Sequence, residues 1–172
     1  MIRLATIVST ADAGAARGAL EGAIELELGA GGWTAAEDLP AIFAERTKRT
    51  VSPRMAARLN VQDSDGTLIV SFRSDLAPGT PVAYVDQAIE QQRKPALHVV
   101  LPAGERSRVT EDLRKGVVAW LAEEKINTLH VTGPREVDEP GIQQATRDAL
   151  VWLLEDELAP AIGAAPQPAA GG

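Results

Sequence analysis

The chain has 172 residues, enough for one domain, and its 45% hydrophobic content can fill a core. A formal charge of −7 without a long basic run argues against a nucleic-acid-binding face, which needs clustered Lys and Arg. The absence of cysteine removes disulfides, thiolate nucleophiles, Fe–S clusters and Cys-zinc sites, and is compatible with a reducing cytoplasm.

The start of the chain, from Met1 to Val8, is too short for a signal peptide's apolar region, and no apolar run reaches membrane-spanning length. The expectation is a soluble, cytoplasmic protein. Ile2–Ser9 reads as the first strand, followed by a small polar turn to Gly14. Leu20, Ile24 and Leu28 then recur at helical spacing, and Gly29–Gly32 is expected to end that helix. Residues 34–50 are hard to read; a short strand around Ala41–Phe43 competes with a charged surface excursion. Ser52-Pro53 reads as an N-cap and N1 proline, opening a helix with Met55 and Leu59 on its inner face.

Asp65-Gly66 signals a turn, and Thr67–Phe72 is an apolar, β-branched run expected to be a strand buried on both faces. A loop leads to Gly79, Thr80 and Pro81, a good start for a helix expected to run to about Arg93 with Val82, Val85 and Ile89 inward. Lys94-Pro95 stops it. Ala96–Leu101 reads as another buried strand. Thr110, with Glu111 and Asp112, starts a helix that buries Leu113, Val117, Trp120 and Leu121. Asn127–Thr132 reads as the last strand. Asp138 is expected to cap a final helix carrying Ile142, Ala145, Ala149, Trp152 and Leu153, which Pro160 ends. Residues 160–172 read as an Ala/Pro/Gly-rich disordered tail behind a single domain, residues 1–159.

Strands and helices alternate without a hairpin signal. That pattern predicts an α/β fold, a mostly parallel sheet with helices on both faces. Ligands of such folds sit beyond the carboxyl ends of the strands, where Ser9–Gly14, Ser71–Thr80, Leu101–Ser107 and Thr132–Glu136 would gather.

The chain also carries a series of short segments in a specific order: Arg17-Gly-Ala-Leu20, Ala23-Ile-Glu-Leu26, Gly31-Gly-Trp33, Asn60-Val61, Ser64-Asp-Gly-Thr-Leu-Ile69, Gly79-Thr80, Lys94-Pro95, Val131-Thr-Gly-Pro-Arg-Glu136 and Pro140-Gly-Ile142. In order and spacing they resemble the "putative molybdenum carrier" family, circularly permuted relatives of the YpsA-type proteins in the SLOG superfamily. That superfamily includes the LOG phosphoribohydrolases. The resemblance implies a Rossmann-like three-layer sandwich and a homo-oligomer. It also implies a small anionic ligand, a nucleotide or the molybdenum cofactor. The family's first loop, Gly-Gly-Gln-Thr-Gly-Val-Asp-Arg, is here Thr10-Ala-Asp-Ala-Gly-Ala-Ala-Arg17, keeping only Gly14 and Arg17. Its Gly-Gly-Thr after the central strand is Pro78-Gly-Thr80.

The candidate ligand-binding residues are Ser9, Thr10, Gly14, Arg17, Gly79, Thr80, Gly133, Pro134 and Arg135. Each has a plainer alternative. Gly79-Thr80 cradles a phosphate or simply caps a helix. Arg17 reaches a ligand or bridges to Glu21 one turn on. Arg135 meets an anion or pairs with Glu136 or Asp138. His98 and His130, each within an apolar strand, read as hydrogen-bonded core histidines. The Asp63/Asp65 pair reads as turn chemistry, Glu155–Glu157 as a solvated helix end, and Trp120 and Trp152 as core or subunit-contact residues. Three functions follow. The first is a non-catalytic binding module for a phosphate-bearing nucleotide or similar anion. The second is a LOG-like N-glycosidic hydrolase, which lacks its expected acid because Ala83 occupies that position. The third is a subunit that binds no ligand.

Overall fold

The computed structural model describes residues 2–76, 81–102 and 110–158. Among them six strands form one sheet, in the order β3-β2-β1-β6-β4-β5, with every neighbouring pair parallel. The strands are β1 (Thr6–Val8), β2 (Gly29–Thr34), β3 (Thr47–Arg49), β4 (Gly66–Ser71), β5 (Ala96–Val100) and β6 (Thr128–Thr132). The helices are α1 (Ala15–Glu25), α2 (Ala41–Ala44), α3 (Pro53–Asp63), α4 (Pro81–Gln92), α5 (Glu111–Glu123) and α6 (Ile142–Leu154). The predicted three-layer α/β arrangement is observed.

Alternation along the strands sorts the layers. Ile7, Leu68, Val70, Val99, Leu129 and Val131 meet α1, α5 and α6 in the main core. The alternate residues, including Thr67, His130 and Thr132, face the layer of α3 and α4. Those helices pack on each other through Ala57, Val61, Val85 and Ala88. Full burial of the main core's large aliphatic side chains stabilises the fold by about 1.5–3 kcal/mol each.

Local chemistry accounts for the helix ends. Ser52 Oγ accepts the Met55 N–H at 3.1 Å, with Pro53 in the first turn, and Thr110 Oγ1 accepts the Leu113 N–H at 3.3 Å. Lys94 closes α3 from outside: its Nζ donates to the carbonyls of Val61, Gln62 and Ser64, placing a cation at the negative end of the helix dipole. Asn60 fastens α3 to β2, accepting the Trp33 N–H at 2.8 Å and donating to the Trp33 carbonyl at 2.9 Å.

Several expectations are corrected. Gly29–Gly32 does not merely end a helix; it opens strand β2. Ala41–Ala44 is a helical turn, and the strand of that region is Thr47–Arg49. α3 buries Ala56, Ala57, Asn60 and Val61, while Met55 and Leu59 stay half-buried, because small residues allow its close approach to α4. β5 is an edge strand that exposes Ala96, His98 and Val100. Gly141, not Asp138, caps α6. Asp63 and Asp65 do more than shape a turn: Asp63 accepts the Trp33 indole N–H, and Asp65 accepts the N–H groups of Asn127 and Thr128. The helix end at Asp156 and Glu157 is paired with Arg114. Residues 160–172 lie outside the described residues.

Candidate functional site

The helices that follow β6 and β4 lie on opposite faces of the sheet, so these neighbouring strands open a crevice beyond their carboxyl ends. Glu139 bridges it, its buried carboxylate accepting the Phe72 N–H at 2.7 Å. Beside it lies a cleft of about 250 Å³. Its polar lining is Thr10 and Asp12 from the loop after β1, with Thr132 and Arg135 at the end of β6. Its apolar lining is Pro53 and Ala57 at the start of α3, with Tyr84 and Val85 near the start of α4.

The loops after β1 and β6 are stitched together. Gly14 and Arg135 form an antiparallel bridge, Ala15 N–H donates to the Pro134 carbonyl, and Glu136 N–H donates to the Ala13 carbonyl. Gly14 must be glycine: its φ is 128°, and a Cβ there would stand 2.5 Å from the Pro134 oxygen. Its N–H is taken by Gln143 Oε1 at 3.1 Å. Ser9 is fully buried; its hydroxyl donates to the Ala16 carbonyl at 2.7 Å and accepts the Ala11 N–H at 3.1 Å. Arg17 lies 6.0 Å over the Phe43 ring and donates from Nε to the Ala11 carbonyl, while Glu21 accepts instead from Gln143. Gly133 and Pro134 are buried packing residues of the β6 end.

Of the sequence candidates, Thr10 and Arg135 therefore line the cleft. Ser9, Gly14, Arg17, Gly133 and Pro134 build its frame, and Gly79 and Thr80 lie outside the described residues. At the start of α1 the amides of Gly14, Ala15, Arg17 and Gly18 serve internal bonds. The start of α6 is occupied by the protein's own Glu136 carboxylate, which accepts the N–H groups of Gly141 at 2.6 Å and Gln143 at 2.9 Å. Arg135 pairs with Asp138, not Glu136, at 2.8 Å. The hydrogen bond to Asp138, that residue's charge and the nearby Asp12 all hold the guanidinium's pKa above its ordinary value. Asp12, Thr132, Tyr84 and the start of α3 were not among the sequence candidates. The available signal was Tyr84's place between two inward valines, which turns an aromatic ring towards the helix flank.

The histidines diverge. His130 is the expected core histidine, its Nδ1 sharing a 3.2 Å hydrogen bond with Thr67 Oγ1, while its Nε2 has no partner among the described residues. Burial pushes its pKa down to about 3. His98 is exposed on the edge strand and contacts Ser71 Oγ at 2.6 Å.

Ala11 adopts φ 63° at a position matching a glycine of the family's loop. The left-handed conformation costs a non-glycine residue about 1–2 kcal/mol. Ala11→Gly relieves this strain but deletes a fully buried methyl worth about 0.8 kcal/mol and loosens the unfolded chain, so urea denaturation should show a stability change of less than about 1 kcal/mol.

An all-parallel sheet, helices on both faces and a cleft at the strands' carboxyl ends define a Rossmann-like α/β protein. The chain belongs to the circularly permutated YpsA SLOG family, whose model matches residues 7–154. Counting strands from β6 gives the order 4-3-2-1-5-6, a doubly wound sheet with one reversal. The chain is similar to the crystal structure of a "putative molybdenum carrier protein" from Syntrophus aciditrophicus SB. The two share 30% identity and a TM-score of 0.77 over 89% of this chain and 96% of that one. No curated protein matches the chain. Among the described residues no helix is long and apolar enough to cross a membrane, and no group of three or more His, Asp or Glu is placed to hold a metal ion.

Proposed function

We propose that this protein is a non-catalytic SLOG-type module that binds a small anionic ligand in the cleft between the β1 and β6 loops and the starts of α3 and α4. The observation that carries the reading is Arg135, an exposed guanidinium lining that cleft with the hydroxyl-bearing Thr10 and Thr132. The pair with Asp138 uses Nε and one Nη of the guanidinium, and its remaining N–H donors can meet a phosphate. Ala83, in the first turn of α4, stands where a LOG-type hydrolase carries its acid, which disfavours N-glycosidic cleavage. The chain offers no thiolate to a molybdenum centre, so a molybdenum cofactor would be held through its phosphate and pterin, and molybdate through backbone amides and Arg135.

Calorimetric titration with phosphate esters tests the reading. Arg135→Ala should weaken binding by about ten- to a hundredfold, as expected for a lost charge-assisted hydrogen bond of about 1.5–3 kcal/mol, and the loss should shrink at high salt. Unchanged affinity in a folded Arg135→Ala protein would place the ligand elsewhere. Binding by neither protein would favour a subunit without ligand. Release of free base from a nucleoside monophosphate at a few turnovers per second would instead support the hydrolase.

A further inference from the structure

The two sides of the cleft differ in chemistry. Tyr84 is 41% exposed although Val82 and Val85 beside it in sequence are 1% and 2% exposed. Its ring therefore stays out of the α3–α4 core and flanks the cleft, near Pro53. The other side carries charges of both signs, Asp12 and Arg135. The Asp12 backbone carbonyl is committed to the Arg17 N–H, but its carboxylate takes no hydrogen bond from any described residue. A bare tetrahedral oxyanion is the size of a few waters, at about 30 Å³ each. It would leave most of the 250 Å³ unfilled and would face a carboxylate.

We infer that Tyr84 and Asp12 set the specificity of the cleft: it takes a phosphate ester carried on a flat nitrogen heterocycle and rejects bare oxyanions, molybdate included. The ring lies on Tyr84, because aromatic stacking on a heterocycle's π face is favourable and tolerant of the heterocycle's identity. Asp12 accepts an O–H or N–H donor of the sugar or heterocycle, a charge-assisted bond that a deprotonated oxyanion cannot supply. The phosphate points to Arg135. The inference rests on the binding reading above and adds the residues that choose the ligand. Two sources share this chemistry, a nucleoside monophosphate and a phosphorylated pterin.

The test is calorimetry on the full chain with nucleoside monophosphates, a phosphorylated pterin, ribose 5-phosphate, inorganic phosphate and molybdate. At least one ring-bearing ester should bind tenfold or more tightly than ribose 5-phosphate, with phosphate and molybdate weaker still; the tighter of the ring-bearing arms identifies the source. Tyr84→Ala should remove the tenfold preference, and Tyr84→Phe should keep it. Asp12→Ala should weaken the ring-bearing ester while strengthening inorganic phosphate, opposite changes that a misfolded loop would not produce. Equal affinity for ribose 5-phosphate and the ring-bearing esters, or for molybdate, overturns this inference and leaves the binding reading standing as long as Arg135→Ala still weakens binding. A Tyr84→Ala protein with an unchanged preference overturns it as well. Binding of none of the probes overturns both.

Discussion

Between pH 6.5 and pH 4 the protein should lose roughly 3 kcal/mol more stability than a His130→Asn variant, at about 1.4 kcal/mol per pH unit. The cause is the burial of an imidazole among apolar strands with only Thr67 as partner. In the unfolded chain this histidine takes up a proton near its ordinary pKa of 6.5; in the folded protein it resists until about 3. Within that window the unfolded state binds more protons, so stability is complete above pH 6.5 and falls as the pH drops towards 3. Asn at 130 can keep the hydrogen bond to Thr67 but cannot titrate. Urea denaturation of both proteins across the window gives the difference directly. Parallel stability curves would show that His130 charges as readily in the fold as outside it.

Gly133→Ala should cost about 3 kcal/mol or more and should also weaken ligand binding. A Cβ at this position would enter the Val70 carbonyl oxygen and stand 2.6 Å from the Ala15 Cβ. Neither neighbour can yield cheaply: Val70 is backbone in the paired strand β4, and Ala15 begins α1, which is bound to the Pro134 carbonyl. Relief would have to come from the end of β6, moving Thr132 and Arg135, which line the cleft. Gly116→Ala is the control. It lies in α5 with nothing within 4 Å of a new Cβ, and should stabilise by about 0.5–1 kcal/mol. Thermal and urea unfolding of the two variants, with titration of whichever ligand binds, separates crowding at the cleft from a general effect of alanine. Equal stability of the two variants would sink the packing account.

The strands at the centre of the sheet were legible because burial on both faces leaves a mark: Thr67–Ser71 and Thr128–Thr132 are β-branched and apolar without alternation. β2 was hidden by the opposite requirement. Gly29, Gly31 and Gly32 read as a helix stop, yet they are strand residues whose missing side chains admit Thr6, Arg46 and Ser9. β5 was read as a strand but not as an edge, since its sequence resembles β4 and only the global order leaves one side unpaired. In the cleft, Thr10 and Arg135 were found from loops at strand ends. Asp12 lay in a loop assigned to the ligand face without being singled out, and Tyr84 could not be assigned to the cleft without knowing that α4 and the β1 loop face each other across the same gap.

The position of β6 has a consequence for how the protein comes into being on the ribosome. Among the described residues it is the last strand in sequence, yet it stands between β1 and β4, and the groups β1–β3 and β4–β5 share no strand pairing with each other. Until residue 132 has left the exit tunnel, each group presents the edge that β6 will later fill. Domains tend to consolidate as their chain emerges, but here the sheet cannot close before nearly all of its residues exist. Such non-local pairing also folds slowly and leaves unpaired edges open to association. Nascent chains stalled before β6 should therefore remain protease-sensitive throughout. Protection should arrive in one step once β6 and α6 are exposed, the two-part sheet closing around its final strand.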